Sequence, residues 1–342
     1  MLLGKVASVL GQFLKFVQEG NEIELKLAYA TLSLCQKTAS QMNDWYWWWW
    51  MECIRLVITE FNKNCLWTQL NLMMQEINAS EMVSTYIKAN YKRNNPVVEL
   101  WRTQIESLDA INDPKRRSFC LSIPTSGGKT RVAELAILRF LLDHADDLNA
   151  KCVYIAPLRK LAHEVEQTLL PIFSKVTSNP IAVSSFYGGQ ELDIVDKERL
   201  TESRILIVTP EKLDGMLRYN PDMHSQIRLV IADEGHMIGD ESSRGYKYRM
   251  LLERLIYLLR IKPIASDLNR SRLLLVSGVL PNANEFAGLI AGDASSLVHI
   301  NWCPSDEPLI AQWTWNGQNL VTSNNLCAHL LYFNPSMSEY LQ

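Results

Sequence analysis

The sequence predicts an α/β protein: a parallel sheet with helices on both faces, built around a phosphate-binding loop and preceded by an α-helical N-terminal region. Three observations predict it. Phe119-Cys120-Leu121-Ser122-Ile123 is an apolar run that feeds Pro124-Thr125-Ser126-Gly127-Gly128-Lys129-Thr130, with helical periodicity directly after it. Beyond this loop, short apolar strand candidates alternate with helical stretches. Before it, up to about Asn90, the apolar residues recur at helical spacing instead.

Taken in order, Leu3, Val6, Leu10, Phe13, Leu14 and Val17 form one helix face and Lys5, Gln12 and Glu19 another, until Gly20-Asn21 interrupts the pattern. Asp44 is placed to cap the segment that begins Trp45-Tyr46-Trp47-Trp48-Trp49-Trp50. At about 100° per residue, four consecutive indoles cannot share a helix face. Burial inside a helical domain is the first expectation for them, and a partner surface or base-stacking platform is the alternative. Asn94-Asn95-Pro96 marks a boundary, and Leu100 to Leu108 opens a new helix. The expected organisation is a helical region over 1–95, an α/β domain over 96–300 and an exit segment over 301–342.

The loop has the composition phosphate binding requires. Gly127 and Gly128 tolerate unusual backbone angles and let N–H groups approach a polyphosphate. Lys129 would reach the β- and γ-phosphates, Thr130 would offer its hydroxyl to Mg²⁺, and the following helix points its positive end at the same anion. Ile123 stands where the strict pattern has a first Gly. The implied ligand is a nucleoside triphosphate with Mg²⁺, lined by Pro124, Thr125, Ser126, Gly127, Gly128, Lys129 and Thr130.

Strands are expected at Cys152 to Ala156, Ile181 to Ser185, Ile205 to Val208, Leu229 to Ala232 and Leu273 to Val276. Ligand sites in such sheets lie at the carboxyl ends of strands. Leu229 to Ala232 ends in Asp233-Glu234-Gly235-His236. Such an acidic pair can be a helix cap with a solvated neighbour. In a chain that also carries Lys129-Thr130, Asp233 reads as a metal ligand and Glu234 as the group that orients the attacking water.

Composition bounds the alternatives. With 342 residues, 47% hydrophobic and 21% charged, the chain can bury one large or two ordinary cores. Its 34 Lys+Arg against 37 Asp+Glu leave a net charge of -3, so any nucleic-acid contact must be a local groove. Seven scattered cysteines, never Cys-x-x-Cys, fit reduced thiols in a cytoplasmic protein without a zinc site or disulfide framework. Met1 to Val17, interrupted by Lys5 and Lys15, is no signal peptide, and no run reaches the roughly 18 apolar residues of a membrane span.

Ile-Pro-Thr-Ser-Gly-Gly-Lys-Thr at 123–130 and Asp-Glu-Gly-His at 233–236 resemble the DExH type of superfamily 2 helicases. Ile155 to Ala162 resembles motif Ia of that family, Thr209 to Asp214 motif Ib, and Ser277-Gly278-Val279-Leu280-Pro281-Asn282 motif III, with Gly-Val replacing the commoner Ala-Thr. Thr-Pro-Glu-Lys and Leu-Pro-Asn look most like the superkiller-type branch and its bacterial relatives, including helicase subunits of anti-phage defence systems such as Hachiman.

The resemblance implies a RecA-like lobe and an ATP hydrolase. Gln104 stands where the family carries an adenine-reading glutamine, and its amide suits that edge. Motifs Ia and Ib imply that Arg159, Tyr187-Gly188-Gly189, Thr209 and Lys212 face a single strand of nucleic acid, DNA put ahead of RNA. His236 and Ser277 are implied to couple the two sites. A second RecA-like lobe normally adds arginines to the γ-phosphate. No Lys or Arg occurs from Leu273 to Gln342. The expectation is therefore a truncated or split motor that depends on another lobe or partner protein and is weakly active alone. Two rivals stand beside it: a non-hydrolysing, nucleotide-regulated interaction module, and a phosphate-loop ATPase that acts on protein or membrane.

Overall fold

The computed structural model describes residues 2–76, 79–113, 118–124, 127–176, 182–186, 194–261, 271–278, 283–291, 296–300, 302, 313–315 and 320–322. Six helices come first: α1 (Leu2–Glu19), α2 (Glu22–Gln41), α3 (Trp45–Asn64), the single turns α4 (Leu66–Gln69) and α5 (Asn71–Met74), and α6 (Ser80–Tyr91). Helices and strands then alternate as α7 (Arg102–Asn112), β1 (Ser118–Ser122), α8 (Lys129–Asp143), β2 (Lys151–Ile155), α9 (Arg159–Phe173), β3 (Ala182–Phe186), α10 (Ile194–Glu202) and β4 (Ser203–Val208). There follow α11 (Pro210–Tyr219), β5 (Ile227–Ala232), α12 (Ser243–Ile256), β6 (Arg272–Ser277), α13 (Ala283–Ala291) and β7 (Leu297–His299). Two short strands, β8 (Trp313–Trp315) and β9 (Leu320–Thr322), pair antiparallel within a unit of their own, Ser305–Gln342.

The sheet is parallel throughout, in the order β3-β4-β2-β5-β6-β1-β7, as the alternation predicts. β7, three residues long, had no apolar run to announce it. Each inner strand sends alternate residues to opposite faces. Phe119 and Leu121, Cys152 and Tyr154, and Leu229 and Ile231 join the core beneath α8 and α9, while Cys120, Val153, Ile155, Val230 and Ala232 join the core under α11, α12 and α13. Burial on both sides explains why these strands read as continuous apolar runs.

The N-terminal helices extend the first of these cores. Val9, Phe16, Leu32, Met51, Ile58 and Tyr86 belong to the same apolar cluster as the α8 and α9 residues, and residues 1–304 form one compact unit. Tyr86 of α6 stacks on Phe173 of α9 with ring centroids 6.1 Å apart. The segment before α7 is strapped to the end of α3, with Leu66 N–H donating to Val98 O at 3.0 Å and Leu100 N–H to Asn64 O at 2.8 Å. Gly20 has a left-handed φ of 73°, and a Cβ there would lie 2.5 Å from the Trp67 ring, so only glycine fits this corner.

Asp44 caps α3 as expected, its side chain accepting from Trp47 N–H. The expectation of burial for the aromatic run is corrected: Trp45, Tyr46, Trp49 and Trp50 are 62%, 67%, 60% and 44% exposed. The reason is geometric. Only one stripe of α3 faces the helical core, occupied by Met51 and Ile58, with Trp47 packed at its edge. No helix among the described residues is long and apolar enough to cross a membrane.

Candidate nucleotide and nucleic-acid site

The site forms where β1, β5 and β6 end. Beyond β1, Ile123 N–H donates to the Ser277 carbonyl at 3.0 Å, and Gly127 N–H turns back to Pro124 O at 3.0 Å. A Cβ on Gly127 would lie 2.4 Å from Ile123 Cγ2. Gly128 has φ +83° and caps α8, and a Cβ there would lie 2.2 Å from Gln104 Nε2. Backbone angle and space therefore each demand glycine. Thr125 and Ser126 lie outside the described residues, and Pro124 and Thr130 are half-buried at the edges of the loop.

α7 supports this loop from beneath. Thr103 Oγ1 donates to Gly127 O at 2.6 Å, and Gln104 Oε1 accepts from Trp101 N–H at 2.9 Å. Gln104 thus lies against the loop, buried, with its amide oxygen closing the first turn of α7.

β5 brings the acidic pair. Asp233 N–H donates to Ile155 O at 3.1 Å, which carries the β2–β5 pairing one residue past the strand end. Asp233 is 5% exposed, and burial pushes its carboxyl above the usual range against the opposing pull of its hydrogen bonds. Tyr154 Oη donates to Asp233 Oδ2 at 2.6 Å, and Glu234 N–H to Asp233 Oδ1 at 2.8 Å. Burial also holds the Tyr154 and Tyr248 phenols well above the usual range, so both keep their protons.

Glu234 adopts a left-handed backbone with φ 50°, an uncommon conformation for a residue with a Cβ. This turn carries its carboxylate to the phosphate loop, where Lys129 Nζ lies 3.3 Å from Oε2 and 3.4 Å from Oε1. His236 Nδ1 stands 3.2 Å from the same carboxylate, and His236 N–H donates to Ser277 Oγ at 3.1 Å. Lys129, Glu234, His236 and Ser277 are thereby gathered into one cluster.

Residues 101–286 match the family model described as DEAD/DEAH box helicase. The chain belongs to the DEAD/DEAH box helicases. Among curated relatives of this helicase chain, the Hachiman protein HamB of Bacillus cereus is 35% identical over 263 residues, 77% of this chain and 22% of that protein. The ATP-dependent DNA helicase Hel308 of Methanocaldococcus jannaschii is 33% identical over 160 residues, 46% of this chain and 13% of that protein. This chain therefore spans less than a quarter of either relative. Its fold is shared with Mss116p, solved bound to ssRNA and AMP-PNP, at a TM-score of 0.53 and 22% identity over 66% of this chain and 43% of that one. The parallel sheet is the RecA-like lobe of such helicases, and the chain carries a superfamily 2 helicase-like ATP-binding domain.

The residues that motifs Ia and Ib imply to face a strand are divided between the surface and the interior. Arg159 is exposed at the first residue of α9. Lys212 is 4% exposed, its ammonium 2.7 Å from Asp196 of α10, and Thr209 is buried where β4 meets α11. Lys212, expected to face the strand, is instead held inside by a counterion 16 residues earlier. Gly188 and Gly189, with Tyr187, and Leu280-Pro281-Asn282 of motif III lie outside the described residues. Sequence reasoning missed Thr103, Tyr154 and Tyr248. Only Tyr154 left a signal, as a hydroxyl-bearing side chain inside the aliphatic run of β2.

Proposed function

We propose that this chain is the ATP-hydrolysing lobe of a superfamily 2 helicase or translocase that couples Mg-ATP turnover to movement on single-stranded nucleic acid. The observation that carries the reading is the meeting of Lys129 and Glu234, 105 residues apart in sequence and 3.3 Å apart in space, beside the buried Asp233. The residues present fit the implied cofactor. Two glycines whose positions a Cβ would fill, a lysine and a helix N-terminus suit a polyphosphate, and a hydroxyl with a carboxylate suits a hard cation.

Lys129 binds the β- and γ-phosphates, for which it exchanges its contact with Glu234. Thr130 and Asp233 would hold Mg²⁺, which neutralises phosphate charge when bound. Glu234, flanked by Lys129 and His236, orients the attacking water. Gln104 reads the adenine edge. His236 and Ser277 link this site to the phosphate loop, because the Ser277 carbonyl accepts from Ile123 N–H while its hydroxyl accepts from His236 N–H. The exposed Arg159 at the start of α9 grips a strand phosphate. Hel308, a DNA helicase among the relatives, supports DNA first.

With no Lys or Arg from Leu273 to Gln342, the chain alone lacks a cation there to stabilise charge on the γ-phosphate, and an arginine finger is worth roughly 10³ to 10⁵ in rate. The test is ATPase activity with and without single-stranded DNA. Mg-ATP binding with slow turnover is expected, and absence of ATP binding overturns the reading. The exposed Trp45, Tyr46, Trp49 and Trp50 favour one second reading, a nucleotide-regulated interaction module that does not hydrolyse ATP. A biological activity retained in Lys129→Ala would support it.

A further inference from the structure

Asp233 is clamped from both faces of the sheet. Tyr154 reaches its carboxylate from the core shared with α8 and α9, and Tyr248 of α12 donates to its main-chain carbonyl at 2.6 Å from the opposite core. The two phenols do different work. The Tyr248 bond holds the backbone. The Tyr154 bond, 2.6 Å to Oδ2, together with the Glu234 N–H on Oδ1, occupies one acceptor site on each carboxylate oxygen and fixes the rotation of the group.

Tyr154 is well built for this. It lies on β2 between β4 and β5, in register with Ile207 and Ile231, and is 1% exposed. Its neighbours Cys152, Val153 and Ile155 are apolar, and a phenol enters such an interior only when its hydroxyl finds a partner. We propose that Tyr154 is a positioning residue for the metal-binding carboxylate, holding Asp233 in the rotation in which its free lone pairs face the phosphate loop. The inference rests on the reading of Asp233 as a magnesium ligand. Groups that orient a ligating carboxylate are worth about 10- to 100-fold in metal affinity.

The test titrates Mg²⁺ against the binding of a fluorescent ATP analogue to the full chain, read by anisotropy, with a circular-dichroism melt of each variant. Tyr154→Phe is expected to raise the magnesium midpoint about tenfold while leaving analogue binding in EDTA unchanged. Tyr248→Phe removes an equally buried hydroxyl from the carbonyl and is expected to move the midpoint less than about twofold, since it leaves the carboxylate's own bonds in place. Asp233→Asn separates the two levels of the argument. If it shifts the midpoint and Tyr154→Phe does not, the positioning role is wrong and the metal reading stands. If it shifts nothing, the metal reading fails and the positioning role with it. Equal shifts in the two tyrosine variants would mean general loosening and would also overturn the proposal. Should Tyr154→Phe lack a cooperative melt, the hydroxyl is needed for the fold itself and the positioning role is wrong.

Discussion

Two buried carboxylates, Asp233 and Glu134, meet the same difficulty in opposite ways. Glu134 of α8 is almost wholly buried, and burial pushes its carboxyl above the usual range, as it does for Asp233. Around Glu134 the protein supplies full compensation. Arg131 pairs with it one turn away, Arg93 lies 3.2 Å from Oε1, and the Tyr86 hydroxyl lies 3.4 Å from Oε2, while Arg131 also bonds Asn90. Around Asp233 the donors are neutral, a phenol and a peptide N–H, and no ion pair to it occurs among the described residues. The nearby ammonium of Lys129 lies on Glu234 instead. A charge matched by cations has finished its chemistry, whereas one held only by neutral donors keeps its field for a ligand. Glu134 fastens α6 to the phosphate-loop helix, and Asp233 carries no such cross-link among the described residues.

The contrast is sharpest in stability. Glu134→Ala leaves the buried Arg131 and the half-buried Arg93 without their carboxylate and is expected to cost about 3–5 kcal/mol in a urea melt. Asp233→Asn keeps the Glu234 N–H bond on its amide oxygen, turns its amide nitrogen to the Tyr154 oxygen with that bond reversed, and removes a charge with no cationic partner, so its cost should stay within about 1.5 kcal/mol. Equal destabilisation of the two variants would erase the distinction.

Lys129→Ala should weaken binding of an ATP analogue about 100-fold, the worth of losing charge-assisted bonds to phosphate, with a cooperative melt retained. A variant that unfolds would place Lys129 with the structural cluster instead. Gly128→Ala forces a side chain into a left-handed backbone and against Gln104, and about 1–3 kcal/mol of stability should be lost in the same melt. Arg159→Ala is expected to leave stability unchanged, weaken single-stranded DNA binding less than about tenfold, and lower the slope of log affinity against log salt by about 1. An unchanged salt slope would remove Arg159 from the strand path.

Much of this architecture was legible in the chain. Strands buried on both faces announce themselves as apolar runs, so β2, β4, β5 and β6 fall where the pattern places them. The short β7, with only three residues, could not be seen that way. Of the candidate site, the sequence singled out the loop glycines, Lys129 and the Asp233-Glu234 pair, because phosphate and metal chemistry narrow the usable residue types, and the structure brings Lys129 and Glu234 together. Lys212 and the aromatic run were misjudged for one reason: exposure depends on what packs opposite. Asp196 draws Lys212 inward, and the single inner stripe of α3 leaves four of its six leading aromatics outside.

By itself, the sequence determined the alternation that builds a parallel sheet, the paired glycines of the loop after β1, and the acidic end of β5, because each follows from local spacing and side-chain chemistry. Tertiary structure alone decided which distant groups meet. Glu234 reaches Lys129 through a left-handed turn, Tyr154 reaches Asp233 across paired strands, and α6 reaches α8 through Arg93 and Glu134. Those partnerships depend on strand order and helix docking, which set distances between residues that no linear spacing encodes.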